Sequence, residues 1–136
     1  MRLRMYQIDA FAQRVFEGNP AAVIPLAEWL PDSTLQRIAE ENNLSETAYF
    51  TKKGDQFAIR WFTPCDEVDL CGHATIASSW VIFNHLHPEL KRIEFTSRSG
   101  LLSVFRNDDK LVLDFPADVP APCDIPKQLE QALGAR

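Results

Sequence analysis

The chain has 136 residues, 46% of them hydrophobic and 24% charged, with a net charge of −5 at pH 7, which suits one globular domain with a single buried core. The acidic balance and the scattered lysines and arginines argue against a nucleic-acid partner, because no basic block offers itself to a phosphate backbone. No apolar run has the length to cross a bilayer, the N-terminus lacks the apolar core of a signal peptide, and Cys65, Cys71 and Cys123 are an odd number at irregular spacing; the expectation is a cytoplasmic protein with free thiols and no membrane partner.

Tyr6 to Asp9 and Ala21 to Leu26 predict two short strands, with the turn formers Gly18, Asn19 and Pro20 between them. Pro31-Asp32-Ser33 supplies a helix start, Ser33 and Gln36 have the spacing of a capping box, and Leu35, Ile38 and Ala39 recur at helical intervals. Thr47 to Lys52 and Gln56 to Phe62 predict a hairpin closed through Lys53, Gly54 and Asp55. In its second arm Phe57, Ile59 and Trp61 alternate with Ala58 and Arg60, so one face is buried.

A second helix is expected from about Gly72 to His85, ending near Pro88. Its run Ile76 to Phe83 is apolar on nearly every side, the mark of a buried helix. Arg92 to Thr96, Leu101 to Arg106 and Lys110 to Phe115 predict three more strands, the last two joined at Asn107-Asp108-Asp109. From Pro116 onward, Pro116, Pro120, Pro122 and Pro126 fall close together before a short helical pattern, Lys127 to Leu133, which together suggest a linker and the opening of another element. The fold class is α+β, with two helices and about seven strands in a mixed arrangement.

Chemistry concentrates in two segments. Asp69-Leu70-Cys71-Gly72-His73-Ala74-Thr75 puts a thiol, a flexible backbone hinge and an imidazole at the start of the apolar helix. If that end lies inside the fold, the amides of Gly72, His73 and Ala74 have no carbonyl partner within the helix and, with the helix dipole, form an anion site. The same dipole disfavours a charged imidazole at His73. Asp69, just outside, is placed to cap the helix. The second segment, Glu40 to Phe50, sets Glu46 where a helix gives way to a strand. General acid/base work at carbon favours a carboxylate partly withdrawn from water, and Leu44, Ala48, Tyr49 and Phe50 supply apolar surroundings.

Each of these residues also has a structural reading: Glu46 as a surface glutamate after a helix, His73 as a partly exposed structural histidine, Cys71 as a buried packing thiol. Cys65, Cys71 and His73 lie near one another and His85 and His87 are two apart. Neither Cys-x-x-Cys nor a helical His-x-x-x-His pair is present, so no metal is expected. A phosphate loop, a dinucleotide glycine motif and a nucleophile elbow are likewise missing from the sequence, and no cofactor is expected.

Together with Gly18-Asn19-Pro20-Ala21-Ala22-Val23 and Trp61-Phe62-Thr63-Pro64, these segments resemble the phenazine-biosynthesis isomerase family, the PhzF-like proteins, in the family's order from about Tyr6 to Phe115. The resemblance implies a diaminopimelate-epimerase-like fold: two similar halves, each with strands wrapped around a central helix, and an active site between them. Residues 1–115 would be the N-terminal half, and 116–136 a linker and the start of a second half that the sequence does not contain. The resemblance further implies a cofactor-independent isomerase that moves a proton at carbon on a small carboxylate-bearing substrate, cyclic or amino-acid-like, of the phenazine-precursor kind. Glu46 would move the proton and His73 would assist, with Gly72, His73, Ala74, Asn19 and Cys71 on the substrate; Asn19 is otherwise a turn residue.

Two alternatives stand beside it. Related amino-acid epimerases carry a catalytic thiol where Cys71 stands, but neither Cys65 nor Cys123 has a comparable Cys-Gly setting, so a cysteine-dependent epimerase would need its second thiol from another chain. A non-catalytic binding half whose exposed apolar face drives a homodimer is the other.

Overall fold

The computed structural model describes residues 1–117 and 119–134. In chain order the elements are β1 (Tyr6–Ala10), β2 (Asn19–Leu26), α1 (Asp32–Asn42), β3 (Glu46–Lys53), β4 (Gln56–Phe62), β5 (Glu67–Val68) and α2 (Gly72–Val81). A π-helical turn (Ile82–Leu86), β6 (Arg92–Ser97), β7 (Gly100–Asn107), β8 (Lys110–Asp114) and α3 (Lys127–Leu133) follow. Among the described residues, no helix is long and apolar enough to cross a membrane.

The strands form one mixed sheet in the order β1-β2-β3-β4-β6-β7-β8, with β5 paired to β4 outside that path. Two neighbouring pairs are parallel. β2 meets β3 through the crossover helix α1, and β4 meets β6 across the segment that contains α2; the other pairs are antiparallel. α2 packs on β1, β2 and β3 and also on β8, so the two ends of the sheet order both reach it. The sheet therefore curls around α2 as a half-barrel, the α+β class expected from the sequence.

That wrapping needs a slim helix whose polar side chains bind themselves. Ala74, Ala77, Ser78 and Ser79 are small, and the hydroxyls of Thr75, Ser78 and Ser79 each donate to the carbonyl four residues back, at 2.6, 2.8 and 2.7 Å. Buried hydroxyls satisfied in this way cost little, and the strands can approach the helix axis closely. Trp61, Phe57, Phe83, Phe95, Ile59 and Leu102 fill the space around it. A second core lies on the other face of the sheet, where Leu35 and Ala39 of α1 pack against Ile24, Leu26, Tyr49 and Phe62. β2 and β3 are thus covered on both faces, which is why their buried residues run consecutively instead of alternating.

Three local expectations are corrected. Ser33 and Gln36 form no capping box: α1 starts at Pro31 without a side-chain cap, and Gln36 instead donates to the Thr63 carbonyl at 2.9 Å, tying the helix to the end of β4. Asp69 does not cap α2, because Cys71 occupies the N-cap position. The second helix does not run unbroken to His85: its last turn widens to π geometry, closed by the His87 N–H on the Ile82 carbonyl at 2.7 Å. Arg106 holds that turn, donating to the Phe83 carbonyl and to Asn84 Oδ1 at 3.2 and 2.9 Å. β5, only two residues long, left no alternating pattern to find.

Candidate active site

Three chain segments meet at one end of the half-barrel. α1 closes with Asn43 in the left-handed conformation, φ 49°, its N–H on the Ala39 carbonyl, and this turn feeds Leu44, Ser45 and Glu46 directly into β3. The parallel register pairs Ala21 with Glu46, so the start of β2, with Asn19 and Pro20, lies beside the start of β3. The N-terminus of α2 brings Cys71 and His73 to the same place.

The sequence candidates come together there. Glu46 Oε2 lies 3.3 Å from His73 Nε2, and the two side chains are 20% and 10% exposed, so Glu46 faces the helix tip and not bulk solvent. The contact is off the N–H axis of the ring, and Oε2 is a buried oxygen without an aligned hydrogen-bond partner among the described residues. Cys71 Sγ lies 3.3 Å from His73 Nδ1. Ser45 Oγ lies 3.3 Å from Nε2 on the other side of the ring and donates to Asn19 Oδ1 at 3.2 Å. Ser45 was not among the candidates; the signal for it was its place next to Glu46, visible only once Asn19 is known to be its neighbour.

Burial pushes the Cys71 thiol up to about 11, the amides of Ala74 and His73 pull it the other way, and the nearby Glu46 carboxylate adds to the rise. Those amides face the sulfur without closing a cap hydrogen bond. At neutral pH Cys71 is therefore a thiol, with His73 Nδ1 and the Glu46 carboxylate beside it as acceptors. A thiol hydrogen given to Nδ1 requires the tautomer with its proton on Nε2, and that tautomer yields one directed chain: Cys71 S–H to His73, His73 Nε2–H to Ser45, Ser45 O–H to Asn19.

The Thr75 N–H is the first to bond back within α2, to the Cys71 carbonyl at 3.2 Å, which leaves the amides of Gly72, His73 and Ala74 ahead of the ladder. A Cβ built on Gly72 would meet nothing nearer than Phe115 Cε2 at 4.0 Å, so packing does not require the glycine. The segment entering α2 is braced from the β6–β7 turn: Ser99 Oγ donates to the Asp69 carbonyl at 2.8 Å, and Arg98 reaches Glu67 at 2.6 Å and Asp69 at 3.6 Å. The expectation of no metal rested on spacing along the chain. In space, one donor atom each from Glu46, Cys71 and His73 lie within 4.8 Å of one another. A separate depression of about 860 Å³ lies beside the β1–β2 loop, lined among others by Phe11, Val15, Ile76, Trp80 and Leu111, and includes neither Glu46 nor His73.

Comparison with known proteins agrees with this architecture. Residues 8–131 match the PhzC-PhzF family, described as phenazine biosynthesis-like protein. An uncharacterized isomerase of Pseudomonas aeruginosa is 54% identical over 134 residues, covering 98% of this chain and 52% of that protein. The crystal structure of a PhzF-family protein from Enterococcus faecalis superposes with a TM-score of 0.89 at 48% identity, over 100% of this chain and 52% of that one. A hydroxyproline epimerase from Agrobacterium vitis, crystallised with trans-4-hydroxy-L-proline, shares the fold alone, at a TM-score of 0.52 and 10% identity over 78% of this chain and 38% of that one. The chain spans about half the length of the curated relatives it matches.

Proposed function

The chain belongs to the phenazine biosynthesis-like (PhzC-PhzF) family, and from that premise we propose that it forms one wall of a cofactor-independent isomerase site that shifts a proton between carbon atoms of a small carboxylate-bearing substrate. Relatives carry the name isomerase, without a stated substrate. The observation that carries the reading is Glu46 Oε2, buried, without an aligned partner and 3.3 Å from a histidine at an amide-rich helix tip.

In this mechanism the substrate carboxylate rests on the free amides of Gly72 and His73, where the helix dipole favours an anion. Glu46 takes a proton from the adjacent carbon: the C–H bond breaks, its electron pair moves into the neighbouring π system, and the carboxylate becomes a carboxylic acid. His73 turns its Nε2–H from Ser45 to the substrate and donates a hydrogen bond to the charge that develops. Glu46 then returns the proton at a second carbon, or at the same one, so that nothing is oxidised or reduced. The directed chain through Cys71, Ser45 and Asn19 holds the imidazole in the donating form. Cys71, kept as a thiol by burial, is a poor base, which weighs against the cysteine-dependent alternative.

A second unit closes the opposite side of the cleft. The exposed apolar side chains Phe11, Val15, Phe16 and Trp80 favour a homodimer as one way to supply it.

The test is hydrogen exchange at carbon. The full chain is incubated in D₂O with a panel of small cyclic and amino-acid carboxylates, trans-4-hydroxy-L-proline among them, and deuterium incorporation is followed by NMR. Exchange into a panel member that disappears with Glu46→Gln supports the proposal. Exchange that survives Glu46→Gln but stops with Cys71→Ser, or no exchange anywhere in the panel, overturns it.

A further inference from the structure

We propose that Glu46, Cys71 and His73 also form a binding site for a thiophilic divalent cation, Zn²⁺ in the first instance, whose occupancy blocks the proton chemistry of the same residues. Thiolate, imidazole and carboxylate are the three protein ligand types zinc takes, and three protein ligands with a fourth position left open is a common zinc arrangement. Tetrahedral zinc places a sulfur and a nitrogen ligand about 3.5 Å apart; Cys71 Sγ and His73 Nδ1 are 3.3 Å apart. One oxygen of Glu46 lies within 4.8 Å of Cys71 Sγ and of a ring nitrogen of His73, so rotation of the flexible Glu46 side chain towards Nδ1 completes the triangle.

Three further features suit a cation here. Glu46 Oε2 is buried without an aligned hydrogen-bond partner among the described residues, an acceptor open to a cation. With Nδ1 on the metal, Nε2–H already has its outer partner: it faces Ser45 Oγ, which is itself anchored on Asn19 Oδ1, and metal-bound histidines are oriented by such a hydrogen bond. The amides of His73 and Ala74 that face the sulfur oppose the burial that keeps the free Cys71 a thiol, so the charge of the metal has less to supply in drawing off its proton.

The balance of the step is simple. The Cys71 S–H bond breaks, its proton leaves to solvent, a metal–sulfur bond forms, and the thiolate and carboxylate together neutralise the two positive charges. No electron is transferred. A chain spacing rule could not find this site, because Glu46 comes from the start of β3 and the other two ligands from the tip of α2.

The test uses cadmium as a spectroscopic probe on the full chain carrying Cys65→Ser and Cys123→Ser, so that Cys71 is the one thiol. A sulfur-to-cadmium charge-transfer band that saturates at one equivalent and is displaced by Zn²⁺ is expected. Ser45→Ala in this background weakens binding by about 10–100-fold through loss of the outer hydrogen bond, and His73→Ala and Glu46→Gln weaken it at least as much. If no band forms, or if His73→Ala and Glu46→Gln bind cadmium as tightly as the parent, the thiol acts alone or not at all and the site is overturned. Circular dichroism of each variant confirms the fold. The titration reads the metal alone, so it succeeds or fails independently of the deuterium exchange that tests the isomerase reading.

Discussion

Cys71 Sγ lies 3.3 Å from Nδ1 of His73, and a thiol hydrogen given to that nitrogen leaves the ring proton on Nε2, beside Ser45 and Glu46. The sulfur thus acts on the site through the imidazole. Nitrogen-15 NMR of the imidazole checks it directly: the neutral ring should carry its proton on Nε2, Cys71→Ser should keep that tautomer because a hydroxyl also donates, and Cys71→Ala should lose the preference. An Nδ1–H tautomer in the unaltered protein would contradict the arrangement.

The same thiol has a pH signature. Its pKa is raised from the usual 9.0 to about 11, chiefly by burial, so the unfolded chain gives up this proton at lower pH than the folded one. The stabilisation is complete below pH 9 and is lost as pH rises through about 11, a contribution of roughly 2–3 kcal/mol. Chemical denaturation across that window should therefore show less alkaline loss for Cys71→Ser than for the parent. Near neutral pH, iodoacetamide should label the exposed Cys65 and Cys123 quickly and the buried Cys71 slowly.

Two glycines should behave oppositely. Gly18 has φ +90°, and a Cβ there would lie 2.5 Å from the Ala10 carbonyl oxygen, so Gly18→Ala should cost about 1–3 kcal/mol or more in thermal or urea unfolding. Gly72→Ala meets only an ordinary contact with Phe115 Cε2 at 4.0 Å and should change stability by no more than about 1 kcal/mol. Any activity lost with Gly72→Ala would then report the close approach of a substrate carboxylate to the helix tip.

Arg60 links three elements. It binds Glu67 of β5 through two nitrogens at 2.7 Å, reaches Asp32 of α1 at 2.9 Å, and lies against the rings of Trp29 and Phe62. The Arg60 and Glu67 side chains are 19% and 11% exposed. Arg60→Ala strands a mostly buried carboxylate, partly relieved by Arg98, and should cost about 3 kcal/mol in urea denaturation. Arg60→Ala with Glu67→Ala should cost less than the sum of the two single changes.

The proposed homodimer predicts a concentration-dependent sedimentation coefficient, with Phe16→Asp shifting the protein to monomer. Phe16 is fully exposed, so this change leaves the core intact. A single monomeric species at micromolar concentration for the parent would remove the dimer.

Much of this architecture was legible in the sequence. The β3–β4 and β7–β8 hairpins carry their turn residues, and the alternation of Phe57, Ile59 and Trp61 matches their burial. The run Ile76 to Phe83, apolar on nearly every side, announced a buried helix. What escaped was set by partners distant along the chain. Gln36 had the local spacing of a cap but found the Thr63 carbonyl instead, and Asp69 was free to cap yet is drawn towards Arg98. Glu46 and His73 were each legible as candidates, whereas Ser45 became one only through its contacts with His73 and Asn19, which the β2–β3 pairing creates.

That pairing has an evolutionary corollary. Because Glu46 is positioned by sitting opposite Ala21 in a parallel ladder, sliding β3 by a single residue would turn its carboxylate to the opposite face of the sheet. Insertions or deletions within α1 or its flanking loops can be absorbed as loop-length changes, but not within the strand itself. Related chains that keep the chemistry should therefore vary in length between Leu26 and Asn43 while preserving the count from Ser45 to the β3–β4 turn, a pattern that an alignment of full-length homologues would display.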